Sequence, residues 1–253
     1  MDRSSKTANI IAIIQARMGS SRLPGKVLAE IQGKEMIAWV VERARLARLL
    51  DAVVVATTVD THDDAVAGLC ETRGYPCVRG RATDVLYRYV QAAEMYRADI
   101  VVRLTGDCPL IDPGIIDTTI RAFLDSDPPA IYASNRIVRT FPIGLDVEVM
   151  SLEALKMANQ EAKEPYHREH VTPFFYEDID RFPIVSVEAD DGYGHYRWTV
   201  DTTEDLRFVR EIFSRVEDMN AFTWKDVLAI LEAEPDLMDI NRNVRQRTFR
   251  DVD

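Results

Sequence analysis

Three cations, Arg17, Arg22 and Lys26, fall within ten residues of one another. They lie in the run Gln15-Ala16-Arg17-Met18-Gly19-Ser20-Ser21-Arg22-Leu23-Pro24-Gly25-Lys26-Val27-Leu28, among two glycines, two serines and a proline. Glycine lets backbone N–H groups turn toward a ligand, and arginine and lysine bring charge to it. The run reads as a cradle for a polyphosphate, with a following helix expected to add its positive end. Polyphosphate chemistry calls for a divalent cation, which usually takes one or two carboxylates and completes its shell with phosphate oxygens and water. Two aspartates are candidates. Asp107, in Thr105-Gly106-Asp107-Cys108-Pro109, follows an apolar run; Asp201, in Val200-Asp201-Thr202-Thr203-Glu204-Asp205-Leu206, precedes a helical pattern. Each also has a structural reading, as a turn residue or a helix cap.

Both groups need a frame that brings them together. Residues 10–14 are a continuous, mostly β-branched run, as a strand buried on both faces requires, and 52–58 and 100–104 read the same way. A shorter strand is expected at 74–78. Helical patterns occupy 36–50, 63–72 and 85–97, so the first half reads βαβαβαβ: an α/β fold with a parallel sheet covered by helices. Ligands on such sheets bind beyond the carboxyl ends of the strands, where both the basic loop and the Asp107 loop fall. Beyond them the pattern predicts a helix over 115–124, a strand over 131–134 and a hairpin over 135–149. A helix over 152–162 and a polar segment over 164–176 follow, then strands over 182–188 and 197–200 and helices over 206–216 and 224–232. Residues 1–9 read as a disordered tail and 10–239 as one domain, with an insert at roughly 135–196 for acceptor and dimer contacts. Residues 240–253 read as a basic tail carrying Arg242, Arg245, Arg247 and Arg250, expected to stay mobile or to pack on a partner.

Composition sets outer limits. The chain has 253 residues, 47% of them hydrophobic, a formal net charge of −11 and a pI near 4.9. An acidic surface argues against nonspecific binding to nucleic acid or anionic membranes. It also makes the local cluster of cations stand out as a site for a specific anion. Cys70, Cys77 and Cys108 are odd in number and widely spaced, which argues against a disulfide framework or a zinc site. No stretch approaches the roughly 20 apolar residues of a membrane span. These features lead to the expectation of a cytoplasmic protein.

Two common phosphate loops fail against the sequence. Five residues, not four, separate Gly19 from Gly25, and Val27 stands where a P-loop needs Ser or Thr; no G-x-G-x-x-G is present. Instead Ala-Arg-Met-Gly-Ser-Ser-Arg-Leu-Pro-Gly-Lys resembles the cytidylyltransferases that make CMP-activated acidic sugars, such as CMP-Kdo synthetase, and in particular the SpsF-like branch. The resemblance runs from residue 10 to about 215. It includes Thr-Gly-Asp-Cys-Pro-Leu-Ile-Asp, Gly-Leu-Asp-Val-Glu-Val, Arg-Glu-His-Val-Thr-Pro and Val-Asp-Thr-Thr-Glu-Asp-Leu. It implies a Rossmann-like, mostly parallel sheet sandwiched by helices, of the nucleotide-diphospho-sugar transferase type, with a small inserted β/α subregion. A homodimer formed through that insert is also implied.

The activity implied is transfer of CMP from CTP to a small anionic acceptor, with Mg2+, for surface polysaccharide synthesis. Arg17, Arg22 and Lys26 would hold the triphosphate, and Asp107 and Asp201 the metal. Gln15, Ala16, Gly19, Ser20, Gly80, Asp84, Arg88 and Thr105 would complete the nucleotide site. Arg103, Asp146, Glu148, Arg168, Glu169 and His170 would face the acceptor. One departure matters: enzymes that make CMP-Kdo typically carry Gln-Gly-Asp-Glu-Pro where this chain has Thr105-Gly106-Asp107-Cys108-Pro109, so the resemblance does not carry Kdo itself as acceptor. Three alternative readings remain: an enzyme forming an NDP-sugar from a phosphorylated acceptor, a glycosyltransferase using an NDP-sugar, and a noncatalytic nucleotide-binding or regulatory module. The absence of an Asp-x-Asp at Asp107 weighs against the second.

Overall fold

The computed structural model describes residues 8–178 and 180–246. In chain order it contains β1 (Ile10–Gln15), a small hairpin of β2 (Glu30–Ile31) and β3 (Lys34–Glu35), α1 (Met36–Ala44), β4 (Ala52–Thr58), α2 (Asp64–Arg73) and β5 (Cys77–Gly80). Then come α3 (Val85–Met95), β6 (Ile100–Thr105), α4 (Pro113–Leu124), β7 (Tyr132–Ser134), β8 (Glu148–Ser151), α5 (Leu152–Glu161), α6 (Pro165–His170), α7 (Pro173–Tyr176), β9 (Ile184–Ser186), α8 (Thr203–Phe213) and α9 (Trp224–Ala233). The main sheet has seven strands in the order β5-β4-β1-β6-β8-β7-β9, and only β8 runs against the others.

Alternation along β1 explains why its whole run is apolar. Ile10, Ala12 and Ile14 join one core cluster, Ile11 and Ile13 the other, because successive side chains point to opposite faces and both faces carry helices. Residues 135–196 add to this sheet rather than building a separate one, since β8 and β9 both pair within it. Helix starts follow local chemistry. Asp84 accepts from Tyr87 N at 2.9 Å, Asp112 caps a helix with Pro113 in its first turn, and Thr202 with Asp205 forms a capping box.

Several elements differ from the sequence pattern for local reasons. The helix expected over 36–50 ends at Ala44, and the amides of Arg48 and Leu49 go instead to the Asp117 carboxylate at 3.1 and 3.0 Å. The strand expected over 197–200 makes one bridge only, Ile143 with Arg197. Its polar groups are taken by other segments: Trp198 N donates to Ile143 O at 2.7 Å and Val200 N to Asp107 O at 2.9 Å. In the expected hairpin over 135–149 only residue 148 onward pairs with β7. Asn135 pins the intervening loop, donating to Leu145 O and accepting from Val147 N at 2.7 and 2.8 Å. No described helix is long and apolar enough to cross a membrane. Of the tails, residues 1–7 and 247–253, with Arg247 and Arg250, lie outside the described residues.

Candidate active site

The basic loop leaves β1 at Gln15 and is closed by its own backbone. Met18 O accepts from Ser20 N at 3.0 Å and from Gly25 N at 2.9 Å, which turns residues 18–25 into a ring. Gly25 closes it at φ 73°, in the left-handed region that glycine enters at least cost. Asp63 anchors the ring to the end of β4, its Oδ1 accepting from Met18 N at 2.6 Å while its Oδ2 accepts from Thr58 Oγ1. The element directly after the loop is a single 3-10 turn, Lys26–Leu28, and the helix expected beyond it, α1, begins at Met36. Loop amides and three cations are what it offers an anion.

Lys26 reaches from this loop into the centre of the rim. Its Nζ donates to Asp107 Oδ2 at 2.7 Å, to Asp201 Oδ1 at 2.7 Å and to Val200 O at 2.8 Å. Gly106 lets the Asp107 loop lie against β1: a Cβ there would come 3.0 Å from Gln15 O and 3.0 Å from Ile37 Cδ1. Asp201 has two further cations, Arg22 Nη2 at 2.9 Å and Arg197 Nη2 at 2.8 Å. Burial opposes charge on Lys26, but the two carboxylates outweigh it and hold its pKa above the ordinary value. Burial likewise pushes the Asp201 carboxyl up, and Lys26, Arg197 and Arg22 overcome this and hold it at about 2. Two carboxylates thus converge on one cation at the rim. Among the described residues no three His, Cys, Asp or Glu side chains gather as they would around a metal ion. The pair is still a sufficient protein share for a cation that also takes phosphate oxygens.

A second charged group lies beside the first, between β6 and β8. Arg103 and Arg136 both pair with the buried Glu148, which also accepts from Tyr132 Oη at 2.6 Å. Burial would raise the Glu148 pKa, yet Arg103 and Arg136 hold it at about 2. Gln15 connects the two groups: its Oε1 accepts from Arg103 Nη2 at 3.1 Å, and its backbone O accepts from Gly106 N at 2.9 Å. His170 lies near Glu169, Arg103, Arg136 and Arg17. Burial lowers its pKa and the three guanidiniums lower it further, against the opposing pull of Glu169.

Other expected site residues take varied places. Arg17 meets Glu169 at 3.3 Å, so α6 touches the basic loop. Asp84 and Arg168 spend their charges on each other; Asp84 also caps α3, and Arg168 also donates to Asn159 O and Oδ1 at 2.7 and 2.8 Å. Arg88 is buried beside Gly80 and donates to Arg81 O at 3.1 Å. Thr105 Oγ1 contacts Cys108 Sγ at 3.2 Å, and Asp146 pairs with Arg139. Ala16 N is bonded to Ala56 O at 3.1 Å, while Gly19 and Ser20 lie on the outer turn of the loop. Sequence reasoning passed over Asp63, Arg136, Tyr132, Arg197 and Asp205. Arg197 had a weak signal, standing four residues before Asp201; Asp63 was hidden among Asp60 and Asp64.

The strand order, the helices on both faces and the rim loops define a nucleotidyltransferase with the nucleotide-diphospho-sugar transferase fold. Residues 11–222 match the family described as "Cytidylyltransferase", and the chain belongs to that family. The spore coat polysaccharide biosynthesis protein SpsF of Bacillus subtilis is 30% identical over 90% of this chain and 96% of its own. A solved cytidylyltransferase from Leptospira borgpetersenii is 32% identical, with a TM-score of 0.88 over 96% of this chain and 100% of that one. A 3-deoxy-manno-octulosonate cytidylyltransferase of Anaeromyxobacter is 45% identical over a shorter span, 45% of this chain and 46% of its own.

Proposed function

We propose that this chain is a Mg2+-dependent cytidylyltransferase. It would transfer CMP from CTP to a small acidic sugar or a related anionic acceptor, release pyrophosphate, and so supply the synthesis of a surface glycan. The observation that carries the reading is the convergence of Asp107 and Asp201, each 2.7 Å from one Lys26 ammonium, at the mouth of a glycine-bearing basic loop. Two carboxylates with hard oxygen donors fit magnesium or manganese completed by phosphate oxygens.

In this reading the loop amides with Arg17, Arg22 and Lys26 receive the triphosphate. Gln15, Ala16, Gly80 and Arg88 border the nucleoside. An acceptor oxygen attacks the α-phosphorus, and the bond to the bridging oxygen breaks as pyrophosphate leaves. Negative charge then builds on the departing group, where Arg22 and Lys26 are placed to stabilise it. A divalent cation on Asp107 and Asp201 would neutralise phosphate oxygens and favour ionisation of the attacking hydroxyl. Arg103 and Arg136 set two guanidiniums against the single carboxylate of Glu148. The surplus positive charge supports an anionic acceptor bound nearby, with His170 and Glu169 at its edge. Arg168 and Asp84 join α6 to α3 and support that wall.

The test is a thermal-shift series with CTP, UTP, ATP, GTP and NDP-sugars, each with and without Mg2+, followed by product mass for the stabilising nucleotide and a panel of sugar acids. Stabilisation by CTP that depends on the metal, with a product heavier than the acceptor by a cytidylyl group, supports the reading. Stabilisation by an NDP-sugar and by no free triphosphate overturns it.

A further inference from the structure

The family match stops at residue 222, yet the chain continues past α9 through a 3-10 segment, Pro235–Ile240, and returns to the rim. What it meets there is the side chain that holds Asp201. Arg197 is 9% exposed and has almost all its donors engaged. Nε and Nη2 donate to Asp205 at 2.9 Å each, Nη2 donates to Asp201 Oδ2 at 2.8 Å, and Nη1 donates to Gln246 Oε1. Asn241, also buried, donates from Nδ2 to Arg197 O at 3.0 Å and to Asp205 Oδ1 at 3.0 Å. On the opposite side Arg22 Nη1 donates to Arg245 O at 3.5 Å, while its Nη2 reaches Asp201 at 2.9 Å.

From this we infer that Asn241 and Gln246 belong to the active site as a strap: they are positioning residues that fix Arg197, and through it the Asp201 carboxylate. The physical argument rests on what Arg197 would do without them. Asp205 fixes one edge of the guanidinium and is itself immobilised, fully buried and accepting from Asp201 N and Thr202 N at 2.9 and 3.1 Å. The Nη1 edge donates to Gln246 Oε1. Remove that acceptor and the edge turns to water, so the guanidinium plane can tilt about the Asp205 contact. Asp201 accepts from the same plane and moves with it. A carboxylate that shares a cation with Asp107 tolerates little displacement, because misplacement of even about 1 Å costs heavily in such sites. The Arg245 carbonyl acts on the loop side, holding Arg22 over Asp201 until a triphosphate competes for it. The basic C-terminal segment thereby gains a role that its sequence alone does not indicate.

This inference rests on the function proposed above, and the experiment separates the two. Mn2+ is titrated, by its paramagnetic resonance signal, into the full-length protein with a nonhydrolysable CTP analogue. The parent is compared with Gln246→Ala, Gln246→Glu, Asn241→Ala and Arg242→Ala. The control, Arg242, is exposed and spends its charge on Asp239 at 2.7 Å. Gln246→Ala should weaken Mn2+ binding about tenfold, the scale of a hydrogen bond to a charged group. In turnover it should lower kcat more than it raises the KM for CTP. Gln246→Glu keeps the acceptor and should restore both, Asn241→Ala should follow Gln246→Ala, and Arg242→Ala should match the parent. If the parent itself binds no Mn2+ with the analogue, the proposed function fails. If the parent binds and Gln246→Ala binds equally well, the strap is overturned. It is equally overturned if Gln246→Ala lowers only the melting temperature while Mn2+ affinity and kcat per folded molecule stay unchanged.

Discussion

Replacing Lys26 with methionine keeps the length and the apolar stem of the side chain and deletes only the ammonium. That ammonium donates three hydrogen bonds at 2.7, 2.7 and 2.8 Å, two of them to carboxylates. Breaking a buried ion pair from one side costs about 3–5 kcal/mol, because the other charge stays behind without compensation. Here the loss is uneven. Asp201 keeps Arg22 and Arg197, whereas the ion pair of the Asp107 carboxylate is with Lys26 itself. The expected cost therefore falls at or just below the lower end of that range, about 2–3 kcal/mol. For a chain of this size each kcal/mol moves the melting temperature by about 2–4 °C, so a drop of about 5–10 °C is expected without metal. A divalent cation should reverse it, since it would neutralise the same two carboxylates; at a hundred times its dissociation constant a ligand adds about 2.7 kcal/mol. The parent should gain less from the same cation, because Lys26 competes for the site. Differential scanning calorimetry of Lys26→Met and parent, with EDTA and with Mn2+, makes the comparison. A variant that melts with the parent in EDTA would refute the claim that Lys26 neutralises this pair, and an equal Mn2+ shift in both proteins would refute the competition.

Asp107→Asn and Asp201→Asn should each abolish detectable nucleotidyl transfer while leaving the far-ultraviolet circular dichroism unchanged; full activity in either removes that residue from the metal assignment. Lys26→Ala should raise the KM for CTP, and an unchanged nucleotide dependence would mean that the loop is not the cradle. Glu148→Gln leaves Arg103 and Arg136 without their shared carboxylate and should destabilise the protein by about 3–5 kcal/mol in urea unfolding. Stability should also fall in acid. Glu148 and Asp201 are held at about 2 against ordinary values of 4.5 and 3.8, so their contributions are complete above about pH 4.5 and are lost as pH falls toward 2. At about 1.4 kcal/mol per pH unit Glu148 alone accounts for about 3 kcal/mol, and Glu148→Gln should flatten the slope between pH 5 and 3. An identical slope in the variant would place the acid sensitivity elsewhere.

What could be read from the sequence, and what could not, divides along contact distance. Residues 10–14 disclose a doubly covered strand because burial on both faces acts on every side chain in the run. The same holds for 52–58 and 100–104, and from these the parallel half of the sheet follows. The basic loop and the two aspartates were legible for a different reason: glycine, proline and charge placed next to buried strands have few structural uses. The partners of those residues were not legible. Lys26 meets Val200 across 174 positions, and no local pattern encodes that pairing. The strand expected over 197–200 failed on the same point, since Val200 gives its N–H to Asp107 and its carbonyl to Lys26 instead of to a neighbouring strand. An apolar run records that a segment is buried, not what its backbone bonds to. Arg197 and Asp205 show the limit most plainly. Each resembles an ordinary residue of a helix entry. Only when Asp201, Asn241 and Gln246 are brought around them does it become visible that the helix cap and the carboxylate rim are built from the same hydrogen bonds. It follows that substitutions at the α8 cap should disturb the Asp201 carboxylate as well as the helix.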